Sequence, residues 1–347
     1  MHRSSIPVAT GVATRGAHSR VRRECYAAVL VSAFVIHANL DAEARWVNRS
    51  LRAPIAARAS YYAALAAALA PRDREVEVWA PAAIDPARLV ADPSWRVPAM
   101  RVGTPPRADL VWAPSASKAA NDRRLAAALG LALPGTQVIT EVAALAQPGP
   151  WVAKAPWTTA GRDRCLGEGP VTDEQRTRLG RLLEAFGALV VEPWCDRVLD
   201  LGVGGIVADA GIEVFPPHGL VTDARGTFLG IDLSPPDLRD EERVQLAAAA
   251  RTAGTAIAAV GHRGPFAIDA FVHVVAGERR LHALCEINAR HTFGTVARAL
   301  PGITQLGFSS PPPDARVLIA PADDGVVAWI SATRPTDASA RSPRAPR

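Results

Sequence analysis

The sequence is poor in the residues that mark several common functional classes. It has four cysteines, Cys25, Cys165, Cys195 and Cys285, far apart and with no C-x-x-C pair. That spacing excludes a disulfide framework and a structural zinc knuckle, and it fits a reducing cytoplasm. No G-x-x-x-x-G-K-[ST] loop is present, and Val203-Gly204-Gly205 follows no strand-to-helix turn, so neither a P-loop nor a dinucleotide fingerprint is supported. Aromatic residues make up only 5% of the 347 residues, and no basic stripe interleaved with aromatics runs through the body. The net charge of +5 gathers at the ends: Arg3, Arg15, Arg20, Arg22 and Arg23 at the start, Arg334, Arg341, Arg344 and Arg347 in the tail. A nucleic-acid partner is therefore not expected. The longest apolar run near the start, residues 26–36, is about eleven residues, too short to cross a bilayer. A basic start precedes it as in a signal peptide, but no small-residue cleavage site follows. The reading is a cytoplasmic protein with no membrane partner.

What is present suggests an α/β protein. Residues 1–24 are small, polar and basic, and read as disordered. Residues 26–36 read as a central strand, 41–70 as a long Ala-rich helix, and 76–80 and 109–113 as short strands. This order predicts a small α/β domain over 25–114. A second domain is expected over 115–332, with lobes at about 115–192 and 193–310. Its first helix should span 117–130, closed by Gly130. Residues 151–155 read as a strand and 156–170 as a loop. Thr172 and Gln175 form a T-x-x-Q capping box for a helix to about Phe186. Strands follow at 188–192 and 198–207, with two more near 219–221 and 227–232. A helix is expected over 241–260 and another after Phe293. The aperiodic Pro/Ser/Arg tail at 333–347 reads as disordered.

The chemistry gathers on two strands, 265–275 and 280–288. Alternation puts Ala270, Val272 and Val274 on one face, with Leu281, Ala283, Cys285 and Ile287 as their partners. The other face carries Asp269, Phe271 and His273, then His282, Leu284, Glu286 and Asn288. A turn centred on Gly277-Glu278 pairs Val275 with Arg280, His273 with His282, and Asp269 with Glu286. Two carboxylates directly opposite each other destabilise a sheet unless compensated, and a hard divalent cation is the natural compensation. A solvated or protonated carboxylate is the plainer alternative. The facing histidines invite a transition-metal reading, but no third ligand is near and solvated histidines are the expectation. Cys195 falls beside Trp194 with no base in view.

Glu286-Ile287-Asn288-Ala289-Arg290, with Asp269 on the strand before it, resembles the ATP-grasp superfamily. The resemblance extends over roughly residues 115–300. It implies a two-lobed ATP-grasp fold preceded by a small α/β domain. It also implies ATP and two magnesium (or manganese) ions, with Asp269, Glu286 and Asn288 as metal ligands. Lys154, ending its strand, is similar to the lysine that reaches the ATP phosphates. Thr158, Thr159, Gly161 and Arg162 fall in the matching small-residue loop. Glu192, Pro193 and Trp194 resemble the adenine hinge, and Asp200 the acid that holds the ribose. Lys118 resembles a first nucleotide-side lysine. One departure is Ala267, where relatives often carry a basic residue two positions before the first metal acid; either Arg263 substitutes for it or the phosphate contacts come from the loop alone.

The implied reaction joins a small-molecule carboxylate to an amine through an acylphosphate and releases ADP and phosphate, with amino acids or peptides among the conceivable substrates. Lys154 and Arg290 are its implied catalytic residues, Arg290 orienting the carboxylate. A kinase on the same fold and a catalytically silent nucleotide-binding protein are the alternatives, and a homodimer is left open.

Overall fold

The computed structural model describes residues 32–114, 116–158, 163–223 and 226–332. The aperiodic ends at 1–24 and 333–347 lie outside the described residues, as do Thr159, Gly161 and Arg162 of the expected phosphate loop. Everything below belongs to one unit, Ala33–Arg347.

Three sheets organise the chain. The first is parallel: β1 (Phe34–His37), β2 (Val76–Ala80), β3 (Ala99–Val102) and β4 (Leu110–Val111) lie in the order β3-β2-β1-β4. The expected long helix over 41–70 is broken into α1 (Ala42–Trp46) and α2 (Ala53–Ala64), followed by a 3-10 turn at Leu65–Leu69. Pro54 explains the break: lacking an N–H, it is tolerated in a first turn and not in a helix interior. Asn48, at φ 55°, turns the chain between the two helices.

The next two helices, α3 (Ser117–Ala120) and α4 (Arg123–Ala127), replace the single helix expected over 117–130. Asp122 restarts it, its carboxylate accepting from the Arg124 N–H at 2.9 Å. The second sheet is antiparallel, with β5 (Gln137–Ile139), β6 (Pro150–Lys154), β7 (Arg164–Glu168) and β8 (Leu189–Pro193) in the order β5-β8-β6-β7. The segment read as a loop over 156–170 thus contains a strand, β7. Helix α5 (Asp173–Phe186) carries the expected Thr172–Gln175 capping box and ends at Gly187, φ 75°. Trp151, Ala153, Leu189 and Val191 share the core with Leu179, Leu182 and Phe186 of α5. Alternation therefore turns Val152, Lys154, Val190 and Glu192 to the other face.

The third sheet is antiparallel and contains β9 (Arg197–Ala208), β10 (Gly211–Val214), β11 (His218–Thr222), β12 (Phe228–Asp232), β13 (Gly264–Val275), β14 (Glu278–Asn288), β15 (Gln305–Gly307), β16 (Arg316–Ile319) and β17 (Ala328–Ser331). Its order is β14-β13-β9-β11-β12-β15-β17-β16, with β10 beside β9. Helix α6 (Asp240–Ala259) buries Leu246, Ala250 and Ile257 against Leu201, Val203 and Ile268. Val296 and Ala297 of α7 (Phe293–Ala299) join a different core, shared by Ile36 and Val78 of the first sheet and Leu306 and Ile330 of the third. The apolar interior around 33–114 is thus completed by the end of the chain. Among the described residues no helix is long and apolar enough to cross a membrane.

The β13–β14 hairpin differs from its expected register near the turn. Ala276 and Gly277, both left-handed at φ 50° and 81°, make a two-residue turn that pairs Val275 with Glu278. His273 consequently faces Arg280, and His282 faces Phe271, so the two histidines do not face each other. A bulge between Asp269 and Phe271 then inserts two extra residues on β14 and restores the Asp269–Glu286 pair. The bulge also exchanges two side chains. Leu284 packs into the α6 core, while Cys285 leaves the apolar face expected for it and reaches Lys154, with Sγ 3.6 Å from Nζ.

Candidate active site

Several residues singled out in the sequence meet where the Lys154–Glu192 face of the second sheet meets the carboxylate face of the third. Lys154, one of only two lysines in the chain, ends β6 and donates to the Glu192 carboxylate of β8. Burial alone would depress the Lys154 ammonium, but the Cys285 thiol and the Glu192 carboxylate beside it hold it above the usual lysine range. Next to this pair, Arg197 reaches Asp200 at 3.4 Å and lies 4.0 Å over the Phe271 ring. Asp200 also accepts from the Thr222 hydroxyl at 2.7 Å.

A second group of charges gathers at the far end of the hairpin. Arg123, at the start of α4, donates to the Glu286 carboxylate at 2.8 Å, to the Ala155 carbonyl at 2.8 Å and to the Thr158 hydroxyl at 2.9 Å. It is buried, with 7% of its side chain exposed. Arg290 donates twice to one oxygen of Glu43, at 2.8 and 3.1 Å. Burial would raise the Glu286 carboxyl, but Arg123 and then Lys154 hold it below the usual range. Asp269, directly opposite, is pushed up to about 7, first by burial and then by the charge of Glu286, although the Asn288 amide hydrogen-bonds to it.

Among the described residues, four cations and five carboxylates therefore line the site. Lys154, Arg197, Arg123 and Arg290 each hold one acid: Glu192, Asp200, Glu286 and Glu43. Asp269 is the fifth: among the described residues it forms no ion pair, and burial and Glu286 outweigh the opposing pull of Arg290, the Asn288 amide and Arg197. Asp269, Glu286 and Asn288 offer only oxygen donors at the point of excess negative charge, and that fits magnesium or manganese. Among the described residues no cluster of three or more His, Cys, Asp or Glu side chains could hold a metal, so this candidate set depends on the Asn288 amide as its third donor.

Not every residue named from the sequence is free to act as expected. The Glu192 carboxylate is engaged by Lys154, and the Trp194 N–H donates to the Pro150 carbonyl at 2.8 Å, which leaves the hinge fewer open groups. Lys118 is exposed, donates to the Trp46 carbonyl at 2.7 Å and lies 5.1 Å from the Trp157 ring centroid. Arg263 bonds to the Ala258 and His262 carbonyls beside Asp209, and not to the carboxylate pair. The guanidinium that does reach the carboxylate pair is Arg123, through Glu286. Nothing periodic in the sequence pointed to Arg123 or Glu43, which reach the motif across 163 and 247 residues. Asn121 was also missed; its side-chain oxygen accepts from the Ala289 N–H at 2.9 Å and pins the residue between Asn288 and Arg290.

His273 and His282 are buried and not solvated as expected, with ring centroids 5.6 and 4.9 Å from Phe271. Burial holds His282 neutral, with its pKa down at about 4. Both line a cavity of about 660 Å³ with Pro193 and Cys195 at the hinge end.

No protein-family profile matches the sequence, and no curated protein matches it. Solved structures do match. The N5-carboxyaminoimidazole synthetase of Staphylococcus aureus aligns with 87% of this chain and 93% of its own, at a TM-score of 0.53 and 11% identity. Rhizobium etli pyruvate carboxylase aligns with 86% of this chain, at a TM-score of 0.52 and 13% identity, but this chain spans only 35% of its length. The likeness is one of fold, and that fold is ATP-grasp.

Proposed function

We propose that the chain is an ATP-dependent ligase that joins a carboxylate to an amine. The observation that carries this reading is the fifth carboxylate: Asp269 faces Glu286 and forms no ion pair among the described residues, whereas Glu286, Glu192, Asp200 and Glu43 are each paired. A triphosphate entering the cleft would draw Lys154 and Arg123 toward its oxygens and leave Glu286 beside Asp269. Asp269, Glu286 and Asn288 would hold magnesium, which neutralises charge on the phosphoryl group being transferred.

The chain's own groups supply the rest. Lys154 and Arg123 neutralise the phosphates, with Thr158 fixed by Arg123. The substrate carboxylate, oriented by Arg290 once Glu43 lets go of it, attacks the γ-phosphorus, and ADP leaves. The amine then attacks the acyl carbon, the C–N bond forms and phosphate departs. Positioning and charge neutralisation carry most of the rate. A homodimer and a cytoplasmic setting remain part of this reading.

The test is magnesium-dependent ADP release across a matrix of acids and amines. Release that needs both partners and yields free phosphate supports the ligase. Release with an acid alone and a stable phosphorylated product identifies a kinase. Tight ATP binding with no ADP under any pair identifies a nucleotide-binding protein.

A further inference from the structure

The chain turns sharply where β14 ends. The Arg290 N–H donates to the Asn288 carbonyl at 2.9 Å, which makes Ala289 the centre of a three-residue turn. Its two neighbours leave that turn toward different partners. The Asn288 amide hydrogen-bonds to Asp269, and the Arg290 guanidinium donates to Glu43. Ala289 is wholly buried and has only a methyl group, so its own side chain does not fix the turn. Asn121 grips it instead. The Asn121 Oδ1 accepts from the Ala289 N–H at 2.9 Å, and Nδ2 donates to the Ala289 carbonyl at 3.4 Å. The same Nδ2 donates to the Ser117 carbonyl at 2.7 Å, and the Ser117 hydroxyl lies 3.4 Å from His262 Nδ1.

Two residues further on, Arg123 holds Glu286 together with the Ala155 carbonyl and the Thr158 hydroxyl. On an uninterrupted helix, residues two apart do not face the same neighbour. The break between α3 and α4 removes that obstacle. Asn121 caps α3, Asp122 is extended at φ −70° and ψ 117°, and α4 starts at Arg123. Both side chains thereby reach β14, Arg123 at its carboxylate and Asn121 at the turn that follows. A buried amide is tolerated when its polar atoms are bonded, and both polar atoms of Asn121 are.

We infer that Asn121 is a positioning residue for the proposed cation site: it fixes the turn at Ala289 and so aims the Asn288 amide and the Arg290 guanidinium. The inference rests on the proposed function for the cation and the nucleotide, while the grip on Ala289 stands without it. Among the described residues Asn121 bonds only to Ser117 and Ala289, so its loss leaves every metal donor in place and spoils only their aim. A misaimed amide raises the metal concentration that the site needs and leaves the nucleotide's own contacts alone.

The test titrates magnesium into the full chain with ATP and reads ATP affinity by calorimetry in the wild type, Asn121→Ala, Asn121→Ser and Ser117→Ala. Loss of a residue that orients a metal ligand costs metal affinity about tenfold or more. Asn121→Ala should raise the half-saturating magnesium concentration by about that factor, with ATP affinity in EDTA unchanged from the wild type. Asn121→Ser should show the same shift, and it covers the case in which the alanine variant does not fold. Its hydroxyl can still bond to the Ser117 carbonyl one turn back, but it is too short for Ala289. Ser117→Ala removes the His262 contact from the same buried network and should leave the magnesium midpoint in place, whatever it does to the melting temperature. A shift in Ser117→Ala equal to that in the Asn121 variants would mean general loosening and would overturn the assignment. Asn121 variants that titrate magnesium like a magnesium-dependent wild type would overturn it alone. A wild type with no magnesium dependence would overturn the proposed function and the assignment with it.

Discussion

The two ends of the cleft are built from the same residue types and balanced differently. At the hinge end, Lys154 meets Glu192 and Arg197 meets Asp200, one cation to one acid. At the carboxylate end, Arg123 and Arg290 meet Glu286 and Glu43, and Asp269 is added. Self-pairing keeps a buried charge tolerable while no ligand is present, because removing either partner leaves the other uncompensated. An unpaired carboxylate beside another carboxylate is stable only as the acid or with a cation. The hinge end is therefore closed on itself, and the carboxylate end is waiting for positive charge.

The largest expected effect separates the two facing acids. Asp269→Asn and Glu286→Gln should each cut turnover by roughly 100-fold or more through loss of a metal ligand. Their effects on the metal-free fold should have opposite signs. The raised Asp269 carboxyl contributes stability that is full below its unfolded value near 4 and is lost as the pH climbs through about 7. Asp269→Asn should thus stabilise the protein in EDTA at pH 8, by roughly 1–2 kcal/mol, and flatten its stability between pH 4 and 7. Glu286→Gln leaves the buried Arg123 guanidinium without its anion and should cost about 2–3 kcal/mol. Denaturant melts of the two variants at pH 5 and pH 8 give the comparison, and equal shifts would show that the two acids share one environment.

Next in size is the hinge-end pair. Lys154→Ala strands the Glu192 carboxylate and removes a phosphate contact, so ATP affinity should fall by about tenfold or more and the melting temperature should drop as well. Lys154→Ala combined with Glu192→Gln should recover the melting temperature but not the affinity. Recovery of both would mean that Lys154 serves only to balance Glu192.

The smallest effect concerns His282, which burial holds neutral with a pKa near 4. A depressed histidine contributes stability that is full above its unfolded value of about 6.5 and is lost as the pH falls through about 4. His282→Phe should make the protein less sensitive to acid between those values, by about 1–2 kcal/mol, with little change at pH 8. Unchanged acid denaturation would place the acid-labile groups elsewhere, with His218 and His291 next in line because burial holds both near 4 as well.

The hairpin shows which features could be read from the sequence and which could not. Asp269 does face Glu286, but by a different route from the one alternation implied. Gly277 suggested a turn one residue later than the real one, because a left-handed alanine such as Ala276 carries no sequence mark. The bulge that offsets this was equally hidden: Leu284 and Cys285 are both apolar, so their exchange of faces leaves the pattern intact. Local signals were clear, as the Thr172–Gln175 capping box and Lys154 at its strand end show. Arg123 and Glu43 were not, since only the tertiary fold brings α4 and α1 to the Glu286–Arg290 stretch. The expected helix over 41–70 failed for a local reason that was legible, Pro54, outweighed by the alanine content around it.

The central claim is that the facing Asp269–Glu286 pair, in which only Glu286 has an ion-pair partner among the described residues, is a site for a divalent cation that serves ATP. Its most direct test is the magnesium dependence of ATP affinity, measured by calorimetry at pH 8 in the wild type, Asp269→Asn and Lys154→Ala. The wild type should bind ATP at least tenfold more tightly with magnesium than in EDTA. Lys154→Ala should keep that ratio while binding more weakly throughout, and Asp269→Asn should lose most of the ratio while binding metal-free ATP as well as the wild type or better. An undiminished magnesium effect in Asp269→Asn would contradict the account at its base.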